Sequence, residues 1–115
     1  MTPLVQVATS FASALVEEDF NRAHALLTPE FQRSMTPQTL ADKFYGMFRS
    51  YADGNPTEIW YDERSAETGS PHMLPGDLGY LYVAICGDDF NEAVSVTVTE
   101  ITGAPLIREI IWGRP

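Results

Sequence analysis

Thr36–Pro56, TPQTLADKFYGMFRSYADGNP, holds the turning point of this chain. Thr36-Pro37 is a cap followed by a proline suited to the first helical position, and Leu40, Phe44, Met47, Phe48 and Tyr51 then recur at helical spacing. The pattern predicts a helix from Pro37 to about Ser50. Ala52-Asp53-Gly54-Asn55-Pro56 is a run of turn formers that ends it. Ahead of this point the apolar residues keep a helical period; behind it they alternate. The order is therefore helices first and strands after them, an α+β chain.

Working upstream, Thr2 can cap, Pro3 suits the first turn, and Leu4, Val7, Ala8, Phe11, Ala12 and Leu15 follow helical spacing to about Glu17. A shorter helix starts at Asp19 or Asn21, carries Phe20, Ala23 and Leu27 on one face, and stops before Thr28, which Pro29 drives toward extended geometry. Pro29 to Ser34 has room for one more turn. Downstream, four strands are expected at Thr57–Glu67, Leu78–Cys86, Glu92–Ile101 and Leu106–Gly113, joined by turn-rich links. Links as short as Gly87-Asp88-Asp89 and Thr102-Gly103-Ala104-Pro105 make consecutive strands antiparallel neighbours in a meander. Val94, Val96 and Val98 alternate with Ser95, Thr97 and Thr99, as in a strand with one buried face. The preceding strand is apolar on both faces: Leu81, Val83 and Ile85 on one, Tyr80, Tyr82, Ala84 and Cys86 on the other. One layer of helices covers one face, so the second asks for a partner subunit, a curved-over strand or partial exposure.

Sixteen acidic against seven basic residues give a formal charge of −9, a field that repels phosphate backbones and anionic lipid surfaces and argues against nucleic acid and membrane partners. The same acidity serves solubility or recognition of a basic partner. One cysteine, Cys86, can form neither an internal disulfide nor a multi-cysteine zinc site. The start of the chain lacks a secretory signature, and no apolar stretch has the length of a membrane span, so the cytoplasm is the expected compartment.

Residues Phe11 to Phe48 resemble the helical half of the nuclear transport factor 2-like superfamily. The resemblance is carried by Phe11-Ala-Ser-Ala-Leu-Val-Glu-Glu-Asp-Phe20, by Ala23, by Leu26-Leu27-Thr28-Pro29-Glu30-Phe31, and by Thr36-Pro37 opening a helix; Leu106-Ile-Arg-Glu-Ile-Ile-Trp112 is similar to the superfamily's last strand. The sequence departs from that pattern in two places. The acidic step Glu18-Asp19 lacks the glycine often found there, and no strand is evident between the second and third helices. The resemblance implies one cone-shaped, cystatin-like domain over residues 1–115: three helices packed on a curved antiparallel sheet of about four strands. The uncovered Tyr80, Tyr82 and Ala84 face makes a homodimer through that sheet the expected assembly. It implies no single activity, since the superfamily holds isomerases, cyclases, dehydratases, transport factors, association domains and immunity proteins.

The chain has no glycine-rich phosphate loop, no Gly-x-Ser-x-Gly and no His-Glu-x-x-His, and no residue is assigned as catalytic. His24 and His72 have no second histidine or cysteine at ligand spacing, so neither metal nor cofactor is expected. Asp88, Asp89, Asn91 and Glu92 read as a solvated turn. An isomerase-like site would pair a carboxylate base with oxyanion donors; Asp62, between Trp60-Tyr61 and Arg64, is the best carboxylate, with Tyr45, Tyr80 or Tyr82 as donor. The competing reading puts Glu58, Asp62 and Arg64 on the solvated face of an edge strand. Arg108 and Glu109 interrupt the last strand and, being consecutive, should point to opposite faces, one into the interior. A buried Arg108 would need an acid such as Asp62, or a bound anion; an exposed cross-strand ion pair is the alternative. The expected ligand-binding set is Tyr45, Trp60, Asp62, Arg108 and Trp112, around a small apolar or amphipathic molecule. The alternatives are an isomerase, cyclase or dehydratase and a protein-interaction module such as an acidic immunity protein.

Overall fold

The computed structural model describes residues 2–48, 56–62, 64, 66, 73–87 and 91–113. The turn expected at Ala52–Asn55, His72 and the Asp88-Asp89 tip lie outside them. Four helices come first: α1 (Pro3–Val16), α2 (Phe20–Ala25), α3 (Pro29–Ser34) and α4 (Pro37–Met47). Four strands follow, β1 (Glu58–Trp60), β2 (Asp77–Cys86), β3 (Asn91–Ile101) and β4 (Ala104–Trp112), in one antiparallel sheet of order β1-β2-β3-β4. The α+β order and the meander are as the sequence predicts. Among the described residues the helices number four, because Pro29–Ser34 is a helix in its own right.

The same dipeptide starts three of them. Thr2, Thr28 and Thr36 each accept a backbone N–H three residues on, each at 3.2 Å, with Pro3, Pro29 and Pro37 at the first helical position. Helix α1 closes on a Schellman motif: Glu18 N–H donates to the Leu15 carbonyl and Asp19 N–H to the Ala14 carbonyl. Glu18 sits at φ 58, the left-handed conformation that a glycine would take more cheaply.

β1 is three residues long where Thr57–Glu67 was expected as strand; Glu63, Ser65 and Glu67 of that stretch lie outside the described residues. Beyond β1, the Asp62 carboxylate accepts the Arg64 backbone N–H at 2.9 Å, so this amide is not free for a ladder. At the other end Thr102 (φ 48) and Gly103 (φ 84) form a two-residue type I′ turn between Ile101 and Ala104, which fixes the β3–β4 register. Between α2 and α3 the chain makes one isolated parallel bridge and no strand. Leu27 pairs with Ile107, whose N–H donates to the Leu26 carbonyl and whose carbonyl accepts the Thr28 N–H, both at 2.8 Å.

α1 lies over β2, with Phe11, Ala12 and Leu15 in one fully buried cluster with Leu81, Val83, Ile85, Val94, Val96 and Ile107. α4 packs chiefly on α2 and reaches the sheet at β4. Its Phe44 still belongs to the core, tilted against Phe20 and edge-on to Phe48 with ring centroids 6.0 and 5.1 Å apart. Phe44→Ala should therefore destabilise the domain by about 3–5 kcal/mol in urea unfolding. A loss below about 1 kcal/mol would show that the α2–α4 contact is dispensable.

Candidate functional site

Pairing sorts the strand residues into two faces. Toward the helices stand Ile59, Leu81, Val83, Ile85, Val94, Val96, Val98, Ile107, Ile110 and Trp112. The opposite face carries no helix among the described residues. It is built in rows: Trp60, Ala84 and Ala93; Tyr82, Ser95 and Ile111; Tyr80, Thr97 and Glu109; Asp77, Thr99 and Leu106. The polar side of β3 was expected to be solvated, yet Ser95, Thr97 and Thr99 are all buried. They are short side chains between taller neighbours on β2 and β4.

One ion pair crosses this face. The Arg108 guanidinium grips Asp77 in a two-pronged pair, Nε to Oδ1 at 2.8 Å and a terminal nitrogen to Oδ2 at 2.7 Å. Asp77 is on β2 and Arg108 on β4, so the pair spans β3. The Asp77 carboxylate is 1 % exposed and also accepts the Leu74 N–H at 2.8 Å and the Thr99 hydroxyl. Leu74-Pro75-Gly76-Asp77 is a type II turn closed by Asp77 N–H to the Leu74 carbonyl, with Gly76 at φ 92 where an L residue would be strained. The turn delivers Asp77 to the first position of β2.

A bulge opposite Thr97–Val98 makes Arg108 the extra residue of β4: Thr97 pairs with Glu109 and Val98 with Ile107. The expectation that Arg108 and Glu109 face opposite ways assumed an unbroken strand. In the bulge both lie on the helix-free side, 3.7 Å apart, and neither enters the interior. The partner of Arg108 is Asp77, not Asp62.

The remaining expected residues are dispersed. Trp60 is on the helix-free face, 61 % exposed. Trp112 is on the helix side, edge-on to Phe11 at 6.5 Å, with its indole Nε1 buried and without an acceptor among the described residues. The two tryptophans thus lie on opposite faces and bracket nothing. Asp62 takes both prongs of Arg64, which hold its carboxyl below the ordinary range. A base in an apolar pocket needs the opposite shift. Tyr45 is exposed on α4 and donates to Glu18, whose carboxylate holds the phenol above its usual range. His24 is tied to Gln32 by reciprocal bonds at 3.1 and 3.0 Å. Arg22, beside a shallow hollow lined by Thr9, Ser10, Ser13 and Leu26, is paired with Glu17 and Asp19.

Asp77 was missed in the sequence. The signal was present in Leu74-Pro75-Gly76-Asp77, a proline-glycine turn followed by an acid at a strand's first position. No protein-family model, no curated protein and no solved structure matches the chain.

Arg108 holds the Asp77 carboxyl below its ordinary value of 3.8. A depressed folded-state value means that the stabilisation is complete above the unfolded value and is lost as pH falls through the folded one. Asp77→Asn should cost about 3 kcal/mol at neutral pH, the low end for breaking a buried pair, because Arg108 at 23 % exposure keeps some water. Urea midpoints between pH 2 and 7 check both points. The variant's acid-induced loss below about pH 4 should be shallower than the wild type's, and parallel profiles would refute the assignment.

Proposed function

We propose that this is a protein-association domain that works through the helix-free face of its sheet. The observation that carries the reading is the apolar and aromatic surface left uncovered there: Trp60 at 61 % and Ile111 at 47 % exposure, with the partly buried Tyr82 and Tyr80 on β2 of the same face. Contiguous exposed apolar surface on a folded domain is costly unless something covers it. Against an enclosed ligand stand the fully buried side chains between α1 and the sheet, and an Arg108 already satisfied by Asp77.

We read the fold as a nuclear transport factor 2-like cone, which would make the chain one of that superfamily's association domains. The helices-then-meander order supports this. So do Glu18, in the backbone conformation of the glycine it lacks, and the Leu27–Ile107 bridge where a strand was missing.

A second reading, a small amphipathic ligand on the helix side, is favoured by one feature. The buried Trp112 Nε1 is a donor without an acceptor among the described residues, and buried donors are nearly always paired. The chain has two tryptophans, so Trp60→Phe isolates the emission of Trp112. A shift on adding amphipathic carboxylates or phenols supports this second reading, and constant emission across such a panel removes it.

The association reading is tested by affinity capture with the wild type and Tyr82→Glu as parallel baits. Tyr82 lies outside the core cluster, so the variant should keep its circular dichroism and melting temperature. Polypeptides held by the wild type, the chain itself included, should be lost from the variant; an identical captured set would end the reading.

A further inference from the structure

We propose that the partner is a basic and apolar segment of another polypeptide, with lysine or arginine side chains on Glu58 and Glu109 and apolar side chains on Trp60, Tyr82 and Ile111. The proposal rests on the association reading above and names the chemistry of what that face takes.

Strand pairing places the two acids. Glu58 pairs with Cys86 two residues before Trp60, so it shares the helix-free face of Trp60. Glu109 pairs with Thr97 on the same face. One acid is thus on the first strand of the sheet and the other on the last, with the rows of Trp60 and of Tyr82 and Ile111 between them. Both are exposed, Glu109 with 54 % of its side chain open to solvent. Glu58 has no ion pair among the described residues. Glu109 has Arg108 at 3.7 Å, but both prongs of that guanidinium are on Asp77.

Charge selects the occupant. Among the described strand residues this face carries three acids, Glu58, Asp77 and Glu109, against one base, Arg108, which leaves it at a net −2 on a chain of formal −9. That field repels an anionic partner and draws in a cationic one. The aromatic side chains act in the same direction, because a guanidinium or ammonium group packs on the face of a tryptophan or tyrosine ring. Trp60 is 61 % exposed and two residues from Glu58, so an arginine laid along the indole brings its head to the carboxylate. Three strand spacings across and six residues along put Glu58 and Glu109 about 24 Å apart in a flat sheet. A small cation reaches one of them; a chain segment with apolar residues between two bases reaches both.

Phage carrying random peptides of about sixteen residues, long enough to span that distance as strand or helix, test this on the immobilised wild type. Enriched peptides should carry two or more lysines or arginines together with aromatic or aliphatic residues. By fluorescence anisotropy a synthetic copy should lose at least tenfold in affinity for Tyr82→Glu and for the double variant Glu58→Lys, Glu109→Lys. Both acids lie outside the core cluster, so circular dichroism should be unchanged; if the double variant does not fold, Glu58→Lys alone should still show a loss of at least threefold. Wild-type affinity should fall as salt rises from about 50 to 500 mM. The same peptide with its bases replaced by glutamate should bind the double variant more tightly than the wild type. No enriched peptide, peptides without basic residues, or an affinity indifferent to the two acids would overturn the proposal. So would self-association that is lost in Tyr82→Glu while no peptide binds, which gives the face to a second copy. A polypeptide released by Tyr82→Glu but held by the double variant keeps the association reading and ends this one, so the two failures are distinguishable.

Discussion

Helix α1 lies across β2 with Phe11, Ala12 and Leu15 withdrawn from water into one cluster with Leu81, Val83, Val94 and Val96. Each large apolar side chain buried this way contributes about 1.5–3 kcal/mol. The remaining helices are arranged around that contact. α2 packs on α1, α4 packs on α2, and the Thr-Pro starts of α3 and α4 set where each turn of chain begins. With the helical mass committed to one side, the sheet keeps a second face that nothing in the described chain covers.

That second face is organised by a charge pair rather than by apolar packing. A buried ion pair adds little net stability over an apolar replacement, but it is strict about geometry, since an unpaired partner is costly. Arg108 reaches Asp77 only because β4 is bulged at that residue and because the Pro75-Gly76 turn brings Asp77 onto β2. The pair therefore ties the register of β4 to that of β2 across β3. It also occupies Arg108, the one cation that these rows carry among the described residues.

Helix starts were legible because a threonine followed by a proline is a local signal with a local cause. The meander was legible because its links are short. Three features were not, and each depends on something that period and composition do not record. β1 ends at Trp60, and the Arg64 amide beyond it is taken by the Asp62 carboxylate, a side-chain contact invisible to alternation. The burial of Ser95 and Thr97 depends on the height of side chains that only pairing brings alongside. Arg108 and Glu109 share a side because of one extra residue, and a bulge reverses the parity argument from its position onward. Of the expected ligand set, Arg108 could be recognised as needing an acid, but the acid lies 31 residues away and pairing alone names it.

Sheets offer partners an edge as well as a face, and here the outer edge of β4 is blunted. Pro105 has no N–H to give, Arg108 breaks the regular spacing, and Ile107 has its outward N–H and carbonyl already bonded to the segment Leu26–Thr28. A strand added along that edge would find a run too short to hold it. The Leu27 bridge and the bulge thus act in the same direction: both take backbone groups of β4 away from a strand that would add along that edge.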